Sequence, residues 1–232
     1  MKRFFSILLA AMIALGCLSI TSGAMANGQS TIKVRLVSID SVTGKTLGSI
    51  GLELWKVTKD PNSKAESWDF VKKITTGSTG KKTVTLDIGT TYRVSVCKAP
   101  SGYSEWTTTE FTTLIPNSRN GVTQTINVKV VPVHTEKIKV VDSNGKIVKN
   151  AKVTVYGAGF NATRWYSAKT NSSGIATIKG VEHGSRKIEV YVTSGGTLYK
   201  AYSGKIKITK DGTKTIKLPA KSKWTKCMPI RN

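Results

Sequence analysis

The sequence predicts an all-β protein, two tandem Ig-like β-sandwich modules behind a cleaved signal peptide, and three observations carry that prediction. Apolar and polar residues alternate with period two in many short runs, which places the apolar set of each run on one face of a strand. Turn residues interrupt these runs every 8 to 12 residues or so, the rhythm of a sandwich. The same order of strands and turns then occurs twice.

Residues 1–26 read as a signal peptide. Lys2 and Arg3 open it, an apolar run from Phe4 to Ile20 follows, and Ala24-Met25-Ala26 supplies the small residues that a signal peptidase cleft requires. The run is short for a membrane span, and the residues before Cys17 do not favour lipoprotein processing. Export is therefore expected, to a secreted or extracellular location with non-covalent association with the cell surface. The whole chain carries 36 basic and 13 acidic residues. Cleavage after Ala26 would leave 34 and 13, a net charge of +21.

The first module is expected over 30–131. Ile32, Val34 and Leu36 share one face of an opening strand, and Thr43-Gly44-Lys45 makes the turn after it. Leu52-Glu53-Leu54-Trp55 forms the next strand, with Trp55 expected in the core. Ser78-Thr79-Gly80 turns into Val84-Thr85-Leu86, and a long alternating strand begins near Tyr92. The second module, over 133–219, repeats the series. Asn144-Gly145-Lys146 precedes Val153-Thr154-Val155-Tyr156, Ser172-Ser173-Gly174 precedes Ala176-Thr177-Ile178, and Ile188, Val190 and Val192 form a face. Lys205–Ile208 and Thr215–Leu218, separated by Asp211-Gly212, read as a hairpin. Val131-Pro132-Val133 is the expected joint, stiffened by a proline that cannot continue a central ladder. Residues 220–232 form a basic tail.

The run from Tyr92 to Tyr103, above all Lys98-Ala99-Pro100-Ser101-Gly102-Tyr103, with Thr43-Gly44-Lys45 and Gly51-Leu52-Glu53-Leu54, resembles the SpaA-type or CnaB-type prealbumin-like domains of bacterial surface proteins and pilins. The second module is similar, on pattern, to transthyretin-like carboxypeptidase regulatory domains, through Val140 to Lys146 and Thr170 to Gly180. The resemblance implies a bacterial surface protein of prealbumin-like fold. Many such domains hold an intramolecular isopeptide bond between a lysine and an Asn or Asp, with an acid to relay the proton. Here the lysine position falls at Arg35 or Leu36 and the acid position at Val96, although Asn127 is present on the last strand. An arginine stays protonated and cannot be the nucleophile, so no isopeptide is expected. No Leu-Pro-x-Thr-Gly signal occurs, so covalent anchoring by a sortase is not expected either.

The charge is uneven: residues 27–132 carry a net +6, and residues 133–232 a net +15. Lys205, Lys207, Lys214 and Lys217 fall mainly opposite apolar positions, and with Lys221, Lys223 and Lys226 they are expected to form one basic face. Such a face would attract an anionic polymer such as teichoic acid, an acidic glycan or a membrane surface. It would equally serve solubility and protection of sheet edges. Nucleic acid is the least favoured partner, since no nucleic-acid-binding pattern accompanies the charge. Trp68, Trp165, Tyr166 and Trp224 lie in polar surroundings and are candidates for exposed aromatic contacts with sugars. Cys97 and Cys227 could form a disulfide, or stay apart.

Catalytic signals are poor. His134 and His183 lack metal-ligand spacing, and no nucleophile elbow, phosphate loop or zinc motif occurs. No enzyme activity, cofactor or metal is expected. The leading expectation is a secreted structural or adhesive protein that binds anionic polymers through its basic face. The alternatives are a carbohydrate-binding module and a pilus or filament subunit capable of homo-assembly.

Overall fold

The computed structural model describes residues 30–63, 65–115, 123–157 and 164–227. The expected signal peptide lies outside the described residues. Among the described residues, fifteen strands account for the regular structure, with a short 3-10 turn at Lys221–Lys223.

The first module contains β1 (Thr31–Asp40), β2 (Gly51–Lys59), β3 (Glu66–Thr75), β4 (Lys81–Asp87), β5 (Thr91–Lys98), β6 (Thr108–Thr112) and β7 (Thr123–Val130). They form two sheets, ordered β4-β1-β7 and β3-β2-β5-β6. The second module contains β8 (Val133–Val141), β9 (Lys152–Tyr156), β10 (Trp165–Lys169), β11 (Ile175–Glu182), β12 (Gly184–Ser194), β13 (Thr197–Ile208) and β14 (Gly212–Lys217), and a short β15 (Thr225–Lys226). Its sheets are ordered β11-β8-β14 and β10-β9-β12-β13-β15. Each strand of the first module thus has its counterpart seven strands later, and β15 is the one addition. Opening and closing strands pair in parallel in both modules, β1 with β7 and β8 with β14.

Alternation explains the layers. Ile32, Val34 and Leu36 of β1 point inward with Leu52, Leu54, Val94, Val96, Val128 and Val130. Ile138, Val140, Val153, Val155, Ile188, Val190 and Ile216 do the same in the second module. Each such side chain, fully buried, contributes about 1.5–3 kcal/mol relative to exposure. Leu36 and Val96, at the positions where the resemblance looks for an isopeptide lysine and its acid, are 0% and 1% exposed, while Asn127 is exposed.

The repeat extends to local chemistry. Asp40 accepts the backbone N–H groups of Val42 and Thr43 at 2.7 and 2.9 Å, and Asp142 accepts those of Asn144 and Lys146, both at 2.9 Å. These aspartates shape the two Gly-Lys turns. Thr76 accepts the Ile50 N–H, and Thr170 the Ala151 N–H. Gly80 and Gly174 sit at φ +74 and +72, and at Gly80 a Cβ would come within 2.7 Å of the Leu47 carbonyl oxygen. Only glycine meets both demands.

Two expectations are corrected. Lys205–Ile208 and Thr215–Leu218 do not form a hairpin: the first run ends β13 in one sheet, whereas β14 crosses to the other sheet and pairs with β8. Asp211 serves this crossing by accepting the Thr135 N–H at 2.9 Å. Trp55 is not core. It follows inward-facing Leu54, so alternation turns it outward, opposite Arg93 and edge-on to Phe70 at 5.1 Å.

The joint is held from both sides. Ser104 donates its N–H to the Val131 carbonyl, Val133 donates to the Gly102 carbonyl, and His183 donates to the Pro132 carbonyl, each at 2.8 Å. Tyr103 places its hydroxyl 2.7 Å from Asp40, linking the Lys-Ala-Pro-Ser-Gly-Tyr segment to the first Gly-Lys turn. Arg164 of the second module lies over the Trp106 ring of the first at 5.5 Å. His134 Nε2 and His183 Nδ1 approach to 3.3 Å beside the joint.

Candidate functional site

The charged surface is best built from the acids. Residues 133–232 contain five carboxylates, and Glu136, Glu182 and Glu189 are 0%, 1% and 1% exposed. The lysines and arginines of that half therefore meet solvent with few acids beside them. In the first module the acids stay nearer the surface and pair with cations, as Lys59 does with Glu110 at 2.9 Å and Lys73 with Glu53 at 3.7 Å.

Glu189 sits on the outer face of the β10-β9-β12-β13-β15 sheet, between the inward-facing Ile188 and Val190. Its Oε2 accepts the hydroxyls of Tyr156 and Tyr191, both at 2.5 Å. Its Oε1 meets the ammonium groups of Lys187 at 2.9 Å and Lys200 at 3.2 Å. Burial alone would raise its pKa, but these four donors outweigh burial and hold it down at about 2. Burial, and then the hydrogen bond to Glu189, push the Tyr191 hydroxyl well above the ordinary tyrosine range.

Around this carboxylate the outer face is lysine-rich. Strand register sets Lys187 directly opposite Lys205, and Lys152 directly opposite Lys169. Lys207 lies one alternation further along β13, on the same side as Lys205. The chain after Pro219 folds back along β13 rather than leaving as a free tail. Tyr199 pairs with Lys226 and Lys200 with Thr225, while the Trp224 indole N–H donates to the Pro219 carbonyl at 2.9 Å. A shallow pocket of about 230 Å³ results, lined by Lys200, Ala201, Tyr202, Ser203, Pro219, Lys223 and Thr225, two cations and three hydroxyls with no acid.

The structure divides the residues expected to form one basic face. Lys205 and Lys207 lie on the β10-β9-β12-β13-β15 sheet, and Lys221, Lys223 and Lys226 on the segment folded against it. Lys214 and Lys217 belong to β14 in the opposite sheet. Lys214 has the inward register of Ile216, and its amine stands 3.7 Å from buried Glu136. Both oxygens of Glu136 lack a hydrogen-bond partner, and burial raises its pKa. The separation follows from the missing hairpin. Lys152, Lys169, Lys187 and Lys200 were not singled out in the sequence, although each occupies an outward position of an alternating strand, which is the signal that could have found them.

The aromatic candidates also divide. Trp165 is 60% exposed at the end of the lysine-rich face, and Trp68 is 44% exposed. Trp68 covers the Arg93 guanidinium at 4.1 Å, which itself meets Glu66 at 3.1 Å and Glu110 at 2.6 Å. Tyr166 is not an exposed contact: it packs against the core and gives its hydroxyl to Glu182 at 2.9 Å. Trp224 likewise packs on the core as the anchor of the returning chain. Polar neighbours in sequence concealed both, because a strand presents alternate residues to opposite environments. Cys97 and Cys227 are free, partly buried thiols in different modules, so the disulfide left open by the sequence is not formed in the structure. Among the described residues, no cluster of three or more His, Cys, Asp or Glu side chains is placed to hold a metal ion.

Repeated sandwiches with parallel pairing of first and last strands define a tandem prealbumin-like β protein. Residues 32–130, within the first module, match the SpaA family, a prealbumin-like fold domain. No curated protein matches the chain. Among solved structures, the chain resembles a streptococcal ancillary pilin at 17% identity, with a TM-score of 0.46, over 82% of this chain and 62% of that one. It resembles the minor pilin of the gram-positive pathogen Streptococcus agalactiae at 16% identity, with a TM-score of 0.48, over 81% of this chain and 95% of that one. The shaft pilin SpaA of Lactobacillus rhamnosus GG matches at 14% identity, with a TM-score of 0.36, over 82% and 97%. The chain thus spans somewhat less than two thirds of the ancillary pilin. No helix among the described residues is long and apolar enough to cross a membrane.

Proposed function

We infer that the protein is a non-catalytic structural subunit of an extracellular surface assembly, in which two sandwiches act as one stiff unit and associate with further copies. The observation that carries this reading is the joint. Hydrogen bonds from both modules immobilise Val131, Pro132 and Val133, which is the construction of a spacer and not of a hinged, ligand-closing pair. The SpaA match of the first module and the reading of residues 1–26 as a signal peptide agree with an exported structural role.

An assembly contact is available on β3. This ten-residue strand is the edge of its sheet and exposes Trp68, Phe70 and Val71. An exposed edge offers backbone groups to a neighbouring strand. The test is light scattering with electron microscopy of the chain from residue 27 onward over a range of concentrations. Ordered oligomers or filaments that are lost in a Phe70→Lys variant are expected. A strictly monomeric protein at every concentration rejects homo-assembly.

A further inference from the structure

We propose that the outer face of the β10-β9-β12-β13-β15 sheet is a binding surface for a linear phosphodiester polymer, with the pocket beside Lys223 as one anion subsite. This goes beyond the structural role and does not depend on self-association.

Edge protection accounts for only part of the lysines of this face. Lysine on an edge strand blocks unwanted pairing. Lys152 and Lys187 instead lie on β9 and β12, which have neighbours on both sides, whereas Lys205 and Lys207 lie on the part of β13 that the short β15 does not cover. Directly opposed like charges such as Lys187–Lys205 and Lys152–Lys169 disfavour the sheet, and of these four only Lys187 is offset by an ion pair among the described residues, with Glu189. The one acid on the face, Glu189, is 1% exposed and has both oxygens engaged, so it presents little negative charge to an approaching anion. Lys205 and Lys207 have no carboxylate within ion-pair distance among the described residues, and neither does Lys223.

The arrangement also selects the kind of anion. Adjacent strands are about 5 Å apart and alternate residues of one strand about 7 Å apart. Both spacings are below the Debye length of about 8 Å at physiological salt, so the lysines act as one field. A polymer neutralising several of them releases several counterions, whereas a small anion releases one. The two described arginines of this module are engaged elsewhere, Arg186 on the Glu182 and His183 carbonyls and Arg164 on Trp106 and Tyr166. Bidentate recognition of carboxylates and phosphates is characteristic of arginine, whereas ammonium groups act as point charges, which suit a chain that repeats a single anionic group. The pocket, about 230 Å³ and lined by Tyr202, Ser203 and Thr225 beside Lys200 and Lys223, adds the Lys223 ammonium, while that of Lys200 is held on Glu189 at 3.2 Å. Tyr156 and Tyr191 have their hydroxyls tied to Glu189, and the large apolar side chains exposed on this face among the described residues are Trp165 and Leu198, too few for insertion into a bilayer.

The experiment is calorimetric titration of the protein with short-chain inorganic polyphosphate over a series of salt concentrations. Three variants are compared, each checked for an unchanged melting temperature: Lys205→Gln/Lys207→Gln on the face, Lys223→Gln in the pocket, and Lys214→Gln/Lys217→Gln on the opposite sheet. Binding that weakens steeply with salt is expected. The face variant should bind about tenfold more weakly and with a shallower salt slope, and the pocket variant several-fold more weakly. The β14 variant should bind like the parent protein. Equal losses on both sheets would mean diffuse charge and overturn the assignment. So would tighter binding of a sulfated glycan of similar length, or capture by phosphatidylglycerol vesicles without polyphosphate binding. Monomeric protein that still binds polyphosphate would reject the assembly reading alone.

Discussion

Glu189 shows what one buried charge does here. Its carboxylate is stabilised by two tyrosine hydroxyls and two ammonium groups that between them occupy both oxygens. A carboxyl group whose folded pKa lies at about 2, below its ordinary 4.5, stabilises the fold fully above that ordinary value. That stability is lost as pH falls from 4.5 towards 2. Glu189→Gln keeps the shape and removes the charge, and it should cost about 3 kcal/mol at neutral pH, as removal of one member of a buried ionic cluster does. Denaturant unfolding of both proteins across that acid range should show the gap narrowing as pH drops. A gap independent of pH would mean that packing, not charge, holds this centre. Glu136 has the opposite sign. Burial pushes its carboxyl pKa up, so it contributes stability below its ordinary value that is lost as pH rises through the folded one.

Among the elements, the returning chain after Pro219 carries the most consequence. Trp224 packs on the second core, stands 6.2 Å from the Tyr199 ring and fixes the turn that precedes β15. Trp224→Ala should cost about 2 kcal/mol, less than a fully buried aromatic. It should also free residues 221–227 to proteolysis and speed amide exchange along the outer side of β13. Unchanged protection there would show that β15 is held by its own pairing. The alternation that places Ile32, Val34 and Leu36, or Ile188 and Val190, was legible in the sequence because strands report their faces at a period of two. The paired turns were legible because Asp, Gly and Thr do the same work twice. The partner of each strand was not. Asp211-Gly212 has the composition of a hairpin turn, yet β14 leaves for β8, some seventy residues earlier, because parallel pairing of the ends closes the sandwich. A local signal cannot encode that choice, and with it went the true location of the basic face. Tyr166 and Trp224 were misread for a related reason: neighbours in sequence are not neighbours across a sheet.

At the scale of the whole molecule, the joint decides whether the two sandwiches behave as one body. Three backbone hydrogen bonds fix its path, two from the Gly102–Ser104 turn and one from His183. That turn is itself held by Tyr103 on Asp40, and Trp106 shortly after it meets Arg164 across the modules. Tyr103→Phe/Trp106→Ala removes the anchor and the cross-module contact without entering either core, since Trp106 is 66% exposed. Each removed contact of this kind is worth about 1 kcal/mol, too little to unfold a module. The melting temperature should therefore hold within a few degrees. The radius of gyration from small-angle scattering should broaden, and cleavage near Pro132 should become easier. A rigid joint keeps successive copies in register, so the same variant should form shorter or less regular assemblies wherever the parent protein assembles. If scattering from the variant superimposes on that of the parent protein, the backbone hydrogen bonds of the joint are sufficient by themselves. The side chains around Tyr103 would then serve the first module's own turn and not the alignment of the pair.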